Sequence, residues 1–154
     1  MRLTTRTNIA MRALMYCAVN QDQIVRKSDI ATACNTSENH MAQVINALSH
    51  AGFLSTARGR NGGVMLGAPA ETISVGKVFR TLEAGVPFAE CFSQDKNTCP
   101  LADCCRLKGV LCEALNAFYS ALDKVTLADL TENNCMLETT LATTERLSLT
   151  IPTA

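Results

Sequence analysis

The chain has 154 residues, 47% of them hydrophobic and 18% charged, with eight cysteines, no tryptophan and a net charge of zero. That length suits one compact domain, or a small domain carrying an oligomerising arm, and argues against two independent domains. No run approaches the roughly 18 unbroken apolar residues of a membrane span, and the opening MRLTTRTNIAMRALMYCAVN is interrupted by Arg6 and Arg12, unlike a cleavable leader. A cytoplasmic protein is therefore expected, where thiols stay reduced and a cysteine cluster points to metal binding or redox chemistry.

The balanced charge conceals an asymmetry. Residues 1–66 hold seven Lys/Arg against three acids, and the remainder holds seven against eleven. A basic front half is what a polyanion-binding surface joined to a different module would produce.

In chain order, Thr4 is placed to cap a helix over residues 4–19, with Ile9, Leu14, Met15 and Val19 as its buried stripe. After the polar turn NQDQ, Ser28 is expected to cap the short helix DIATAC, and Ser37 a second helix that ends at Gly52. In that second helix Met41, Val44, Ile45 and Leu48 fall at i, i+3, i+4 and i+7, the spacing of one buried face, while Asn39, His40 and Gln43 lie on another. Two short helices around a tight turn suggest a helix-turn-helix. The following FLSTARGRNGGVMLG places Asn61-Gly62 between two strand-like runs, a hairpin signal, with Gly62 and Gly63 expected at positive φ. A hairpin in that place is a wing.

Beyond Pro69 a helix opened by Ser74 runs to Gly85, and then the cysteine-rich loop begins. The segment RLKGVLCEALNAFYSALDKV follows as a long helix, with Leu107, Leu111, Leu115, Phe118 and Leu122 as the stripe expected to pair with a second copy. Thr126 opens a short last helix, TLADLTEN. The expected fold is mainly α with a small β-hairpin wing: a winged helix-turn-helix over 1–85, a cysteine loop over 86–105, a dimerisation helix and short C-terminal helix over 106–135, and a partly disordered tail over 136–154.

Two sets of residues carry chemistry. Asn39 and Gln43 share a helix face, and amide side chains can pair bidentately with adenine in the major groove. Ser28, Ser37 and His40 are candidate phosphate or base-edge contacts, and Arg58, Arg60 and Asn61 sit at the wing tip where basic groups meet phosphate or the minor groove. The second set is Cys91, Cys99 and Cys105, spaced C-x7-C-x5-C, with Cys104 adjacent as a possible spare. Zinc sites usually pair their ligands at C-x2-4-C, which this loop lacks, whereas iron-sulfur clusters take thiolates at wider spacing. A dithiol switch remains open beside the cluster. Cys17, Cys34, Cys112 and Cys135 are dispersed in helical segments and are expected to be small buried apolar residues. No histidine or carboxylate pair joins a nucleophile in a recognisable motif, so no enzyme is expected.

The order and spacing of MRLT, SENHMAQVINALSHAGF, RGRNGGVMLG, CFSQDKNTCPLADCC and TLADLTEN resemble the Rrf-two family of winged-helix regulators, in particular its cluster-binding branch typified by RirA and NsrR, with IscR more distant. The resemblance implies a homodimeric transcription factor on double-stranded promoter DNA, acting as a repressor, with one 4Fe-4S cluster per subunit held by Cys91, Cys99 and Cys105. A 2Fe-2S cluster and an apo form are the variants. In some relatives an aspartate of the other subunit completes the cluster; the matching residue here is Asn8, leaving the fourth position to Asn8, a small exogenous ligand or Cys104. Relatives tend to carry a basic residue where this chain has Glu38. The implied signal is nitric oxide, iron or oxygen, and the competing functions are a thiol-switched regulator without a cluster and an electron-transfer or metal-delivery protein.

Overall fold

The computed structural model describes residues 3–59, 62–93 and 97–143. The elements in order are α1 (Thr5–Val19), α2 (Lys27–Ala33), α3 (Glu38–His50), β1 (Leu54–Ala57), β2 (Gly63–Leu66), α4 (Val75–Glu83), α5 (Arg106–Asp123), α6 (Leu127–Thr131) and α7 (Cys135–Leu141), with 3-10 turns at Ala70–Thr72 and Glu90–Phe92. Among the described residues no helix is long and apolar enough to cross a membrane.

The first helix is the centre of the core. Thr4 caps it, its hydroxyl oxygen accepting from the Thr7 backbone N–H at 3.2 Å. Ala10, Ala13, Leu14, Cys17 and Val19 are all buried, and the small residues among them let neighbours approach closely. Its start is tied to the end of α4, because one Glu83 carboxylate oxygen accepts from the Thr4 backbone N–H at 3.1 Å and from the Thr4 hydroxyl at 2.8 Å.

Both helices of the helix-turn-helix stop by the same device. At the end of α2 the Thr36 N–H bonds the Ala31 carbonyl and the Asn35 N–H bonds that of Thr32, with Asn35 at φ +49°. At the end of α3 the Phe53 N–H bonds Leu48 and the Gly52 N–H bonds Ser49, with Gly52 at φ +78°. These are paired 6→1 and 5→2 bonds around a left-handed residue, and at α3 both Leu48 and Phe53, the residues joined by the outer bond, are buried in the core. The four residues expected to bury the inner face of α3, Met41, Val44, Ile45 and Leu48, all do so.

β1 and β2 pair antiparallel from Leu54↔Leu66 to Ala57↔Gly63. Val25 adds an isolated bridge to Val64, with N–H···O distances of 2.9 and 2.8 Å in the two directions, so the residues leading into α2 become a fragment of a third strand.

The long helix departs from its expected packing, since no residue of α5 is fully buried. Its C-terminal half lies on α4: Phe118 meets Phe79 with ring centroids 6.3 Å apart, the Arg80 guanidinium sits 4.5 Å above the Tyr119 ring, and Arg80 also pairs with Asp123. Phe118 and Leu122 pack on the core, and Leu115 lines a small cleft with Leu3, Val86 and Phe88. Most of the expected dimer stripe is therefore turned toward the chain's own body. The exposed apolar line is instead Leu107, Val110, Ala114, Ala117 and Ala121, spaced 3-4-3-4 as in a coiled-coil seam. Only Leu107 belongs to both.

The chain then returns to the body. Thr126 and Asp129 form a reciprocal capping box at α6, and Val75 and Leu127 bond the backbones of Val125 and Ile73 at 2.9 Å each. α7 lies where no element was expected. Buried Asn20 secures it, its amide donating to the carbonyls of Tyr16 and Leu141 at 2.9 Å each and its carbonyl accepting from the Thr143 N–H at 3.1 Å. Of the expected tail, residues 144–154 lie outside the described residues.

Two glycines give opposite predictions. A Cβ at Gly76 would stand 2.1 Å from Asp123 Oδ1 and 2.7 Å from the Asp123 backbone nitrogen, so Gly76→Ala should lift α5 off α4. The expected loss is about 1–3 kcal/mol, a Tm lower by several degrees. Gly109 meets nothing within 4 Å; Gly109→Ala should stabilise the helix by about 0.5–1 kcal/mol. Thermal melts of the two variants check both signs.

Candidate DNA-reading face and cysteine loop

The exposed side of α3 carries Asn39, His40 and Gln43, all in solvent. Ser37 is the cap of this helix, its hydroxyl oxygen accepting from the His40 backbone N–H at 3.3 Å, which leaves its own proton to donate outward. The same face continues through Ala42 and Asn46, both exposed. Asn46 was absent from the expected contacts, although it stands three residues beyond Gln43 and seven beyond Asn39, a spacing the sequence already contains.

Ser28 does not cap α2. The capping position belongs to Arg26, held extended at φ −82°, ψ 145°, with no side-chain cap bond. Ser28 lies in the first turn and its hydroxyl donates to Asp29 Oδ1 at 3.1 Å. The cause is tertiary: the Val25–Val64 bridge fixes the chain as extended up to Arg26, so the helix starts at Lys27, ahead of the serine.

At the wing, Arg58 is exposed, and Arg60 and Asn61 lie outside the described residues. The positive φ in the described part of the hairpin falls at Gly59, at +110°, rather than at Gly62 or Gly63 as expected. Gly63 is needed for closeness: a Cβ there would lie 2.5 Å from the Val25 carbonyl oxygen and would break the bridge.

The cysteine loop joins α4 to α5. Cys91 is in the 3-10 turn Glu90–Phe92, and Cys105 is the residue that caps α5, with no side-chain cap bond of its own. A Glu90 carboxylate oxygen accepts from both the N–H and the hydroxyl of Thr98 at 2.6 Å, folding the loop back on itself. These bonds hold the Glu90 carboxyl below the usual range. Cys99 follows directly, its N–H donating to Asn97 Oδ1 at 3.1 Å. Cys91, Cys99 and Cys105 are half-buried, whereas Cys104 is exposed, its thiol directed to the Leu101 carbonyl at 3.7 Å.

Three half-buried thiols on one loop are in kind the donor set of an iron-sulfur cluster. Among the described residues, however, no three His, Cys, Asp or Glu side chains are grouped closely enough to hold a metal ion. The donor chemistry fits, and binding would require the loop to gather its thiols. Asn8 is exposed on α1.

The dispersed cysteines divide two and two. Cys17 and Cys34 are 1% and 2% exposed, whereas Cys112 and Cys135 are exposed, against expectation. Cys112 lies on the polar side of α5, where Asn116 donates to its sulfur at 3.9 Å. Cys135 opens α7.

Two helices set by a tight turn, a hairpin wing bridged to them and an exposed polar face on α3 make a winged helix-turn-helix. The chain belongs to the Rrf2 family, whose model, described as "Rrf2: Iron-dependent Transcriptional regulator", matches residues 3–133. Such proteins are DNA-binding regulators, not enzymes. The chain is 44% identical over 130 residues to Protein aau3 of Rhizobium meliloti (strain 1021), covering 84% of both. It is 41% identical over 134 residues to the HTH-type transcriptional regulator NsrR of Bacillus licheniformis, covering 86% of this chain and 94% of that one. Among solved structures it resembles T. potens IscR, with TM-score 0.68 and 25% identity over 84% of this chain and 85% of the other.

The buried thiols yield a pH prediction. Burial pushes Cys17 to about 12, and pushes Cys34 to about 11 despite the Arg12 guanidinium beside it. The unfolded chain releases these protons from about pH 9, while the folded chain keeps them. Stability should therefore fall as pH rises above 9, by up to about 1.4 kcal/mol per pH unit for each thiol. Denaturant titrations at pH 8, 9 and 10 measure the slope. Alkylation of the native apo protein should spare Cys17 and Cys34 and reach Cys104, Cys112 and Cys135.

Proposed function

We propose that this protein is a homodimeric transcriptional repressor whose hold on promoter DNA is set by an iron-sulfur cluster on the loop between α4 and α5. The observation that carries this is the place of Cys105: it caps the helix that, among the described residues, leaves a long apolar line uncovered on its outer face, so whatever restrains Cys105 restrains the start of that helix. Cys91, Cys99 and Cys105 would hold the cluster, which supplies a centre that nitric oxide, oxygen or iron shortage can alter. The names NsrR and IscR among the similar proteins support this assignment.

The chain's own residues do the rest. Glu90 folds the loop onto Thr98 and keeps Cys99 near the turn that carries Cys91. The C-terminal half of α5 is fixed to α4 by Phe79, Arg80 and Phe118, so a pull on Cys105 is felt across the helix. Leu107, Val110, Ala114, Ala117 and Ala121 pair with the same residues of a second copy, which sets the distance between two α3 helices. Successive major grooves on one side of B-DNA recur about every 34 Å, and two reading helices must match that interval. Asn39 and Gln43 read base edges, while Ser37, His40 and Arg58 fix the register. Release of Cys105 loosens that spacing, DNA affinity falls and the target genes are expressed.

The decisive experiment is anaerobic purification with visible absorption and native mass spectrometry, then promoter binding before and after nitric oxide or an iron chelator. One cluster per chain is expected, with affinity falling on treatment. Cys91→Ala, Cys99→Ala and Cys105→Ala should each weaken operator binding by at least about tenfold, which is about 1.4 kcal/mol. Unchanged binding in all three would overturn the cluster. Metal-free protein that binds DNA and lets go on peroxide treatment would favour a thiol switch through Cys104 or Cys105 instead. Ala117→Glu should give monomers in sedimentation and lose operator binding, while Leu111→Glu should disturb the seam less.

A further inference from the structure

Between α3 and the hairpin lies an open groove of about 460 Å³, lined by Arg26, Lys27, Asn46, Ser49, Thr56 and the backbone of Gly63. Neither cation was among the expected DNA contacts. Arg26 is exposed and makes no side-chain cap bond, and the Val25–Val64 bridge fixes its backbone against the wing. Lys27 is in a different state: its ammonium lies 3.2 Å from a carboxylate oxygen of Glu38, the first residue of α3. Asn46 and Thr56 bring polar groups from the two opposite walls. Ser49 Oγ is the one buried side-chain oxygen among the described residues with no hydrogen-bond partner.

We infer that this groove is a second contact for the DNA sugar-phosphate backbone, engaged by Arg26, and that Glu38 keeps Lys27 from adding to it. The inference rests on the DNA-binding function proposed above and adds to it a backbone site and a residue that governs discrimination. The groove runs beside the base-reading face, so a strand whose bases meet Asn39 and Gln43 has its phosphates next to Arg26. An arginine presents a fork of donors to phosphate oxygens.

The Lys27–Glu38 pair is 43% and 58% exposed at its two side chains, and exposed pairs contribute little to stability. Its consequence lies in the charge offered to DNA. Phosphate contacts supply affinity for any sequence, whereas base contacts supply preference. A lysine already neutralised by Glu38 releases no further counterion on binding, and the Glu38 carboxylate repels a phosphate that approaches off register. Glu38 therefore lowers affinity for all DNA, and lowers it most for a duplex held off register, where its carboxylate meets a phosphate; that difference raises the ratio of specific to non-specific binding.

The test is the salt dependence of binding to a random-sequence duplex and to an operator duplex, measured on the full-length dimer as log K against log salt. Each phosphate contact contributes a slope of about 0.9. Per half-site, Arg26→Gln should make the slope shallower by about 0.9 in the wild-type and the Glu38→Gln backgrounds alike. Lys27→Gln should change the wild-type slope little, yet make the Glu38→Gln slope shallower by about 0.9. Glu38→Gln alone should steepen the slope by about 0.9 and tighten random-duplex binding more than operator binding. Equal effects of Arg26→Gln and Lys27→Gln in the wild type would overturn the silencing of Lys27, and a slope indifferent to Arg26 would overturn the backbone site while leaving the DNA-binding function standing. A wild-type dimer that binds neither duplex would overturn that function, and this inference with it. All three positions are at least partly exposed, so melting temperatures close to wild type are expected and identify any variant that fails by unfolding.

Discussion

Everything in this fold depends on covering α1. An ordinary surface helix is apolar along one stripe, but this one is apolar nearly all round, with ten of its fifteen residues buried and Arg6, Asn8 and Arg12 among the few left in solvent. Such a helix cannot exist alone in water. α2, α3, α4, α6, α7 and β2 all contact it, and the reading face, the wing and the last helix take their places as pieces of its cover. Even its polar start is closed by a neighbour. Burial alone would push the Glu83 carboxyl up, and the hydrogen bonds from Thr7 and Thr4 overcome that and hold it below the usual range. The carboxylate stays charged at the positive end of α1.

α5 is the counterpart. It has an apolar sector too wide for the body to cover, and the body covers one half of it, the side bearing Leu115, Phe118 and Leu122. The other half is left as a regular line of side chains that shrinks from leucine and valine to three alanines. The chain thus carries a filled core and an unfilled seam joined through one helix, and the cysteine loop enters at the end of that helix farthest from the core. A displacement at that end meets the least resistance from packing.

Much of this was legible in the sequence where local chemistry and burial agree. The stripe Met41, Val44, Ile45 and Leu48 named its own inward face because only one face of α3 is apolar, and Ser37, Ser74 and Thr126 marked helix starts because each has a backbone N–H three residues on to satisfy. Ser28 misled for the opposite reason: a serine signals a cap only if the chain before it is free to choose, and the Val25–Val64 bridge had already chosen. Two stripes on α5 satisfy helical spacing, and spacing alone cannot decide which the body takes. The cysteines show the same division. Cys17 is fixed inside by α1, while the exposure of Cys112 follows from where α5 leaves the core, which no local pattern contains. α7 is too short to announce itself and is held by Asn20, more than a hundred positions away.

The taper of the outward line on α5 has a mechanical consequence. Helices meeting through alanines approach more closely than helices meeting through leucine and valine, so two copies paired along this line would cross nearest at the Ala117–Ala121 end and diverge toward Leu107. The helix is about 27 Å long at 1.5 Å per residue. A tilt of a few degrees about the narrow end would sweep the wide end, where Cys105 stands, through about 2 Å, and the same tilt would be carried by the bodies fixed to the narrow end. Such a pair is a hinge with its pin among the alanines and its handles at the thiols.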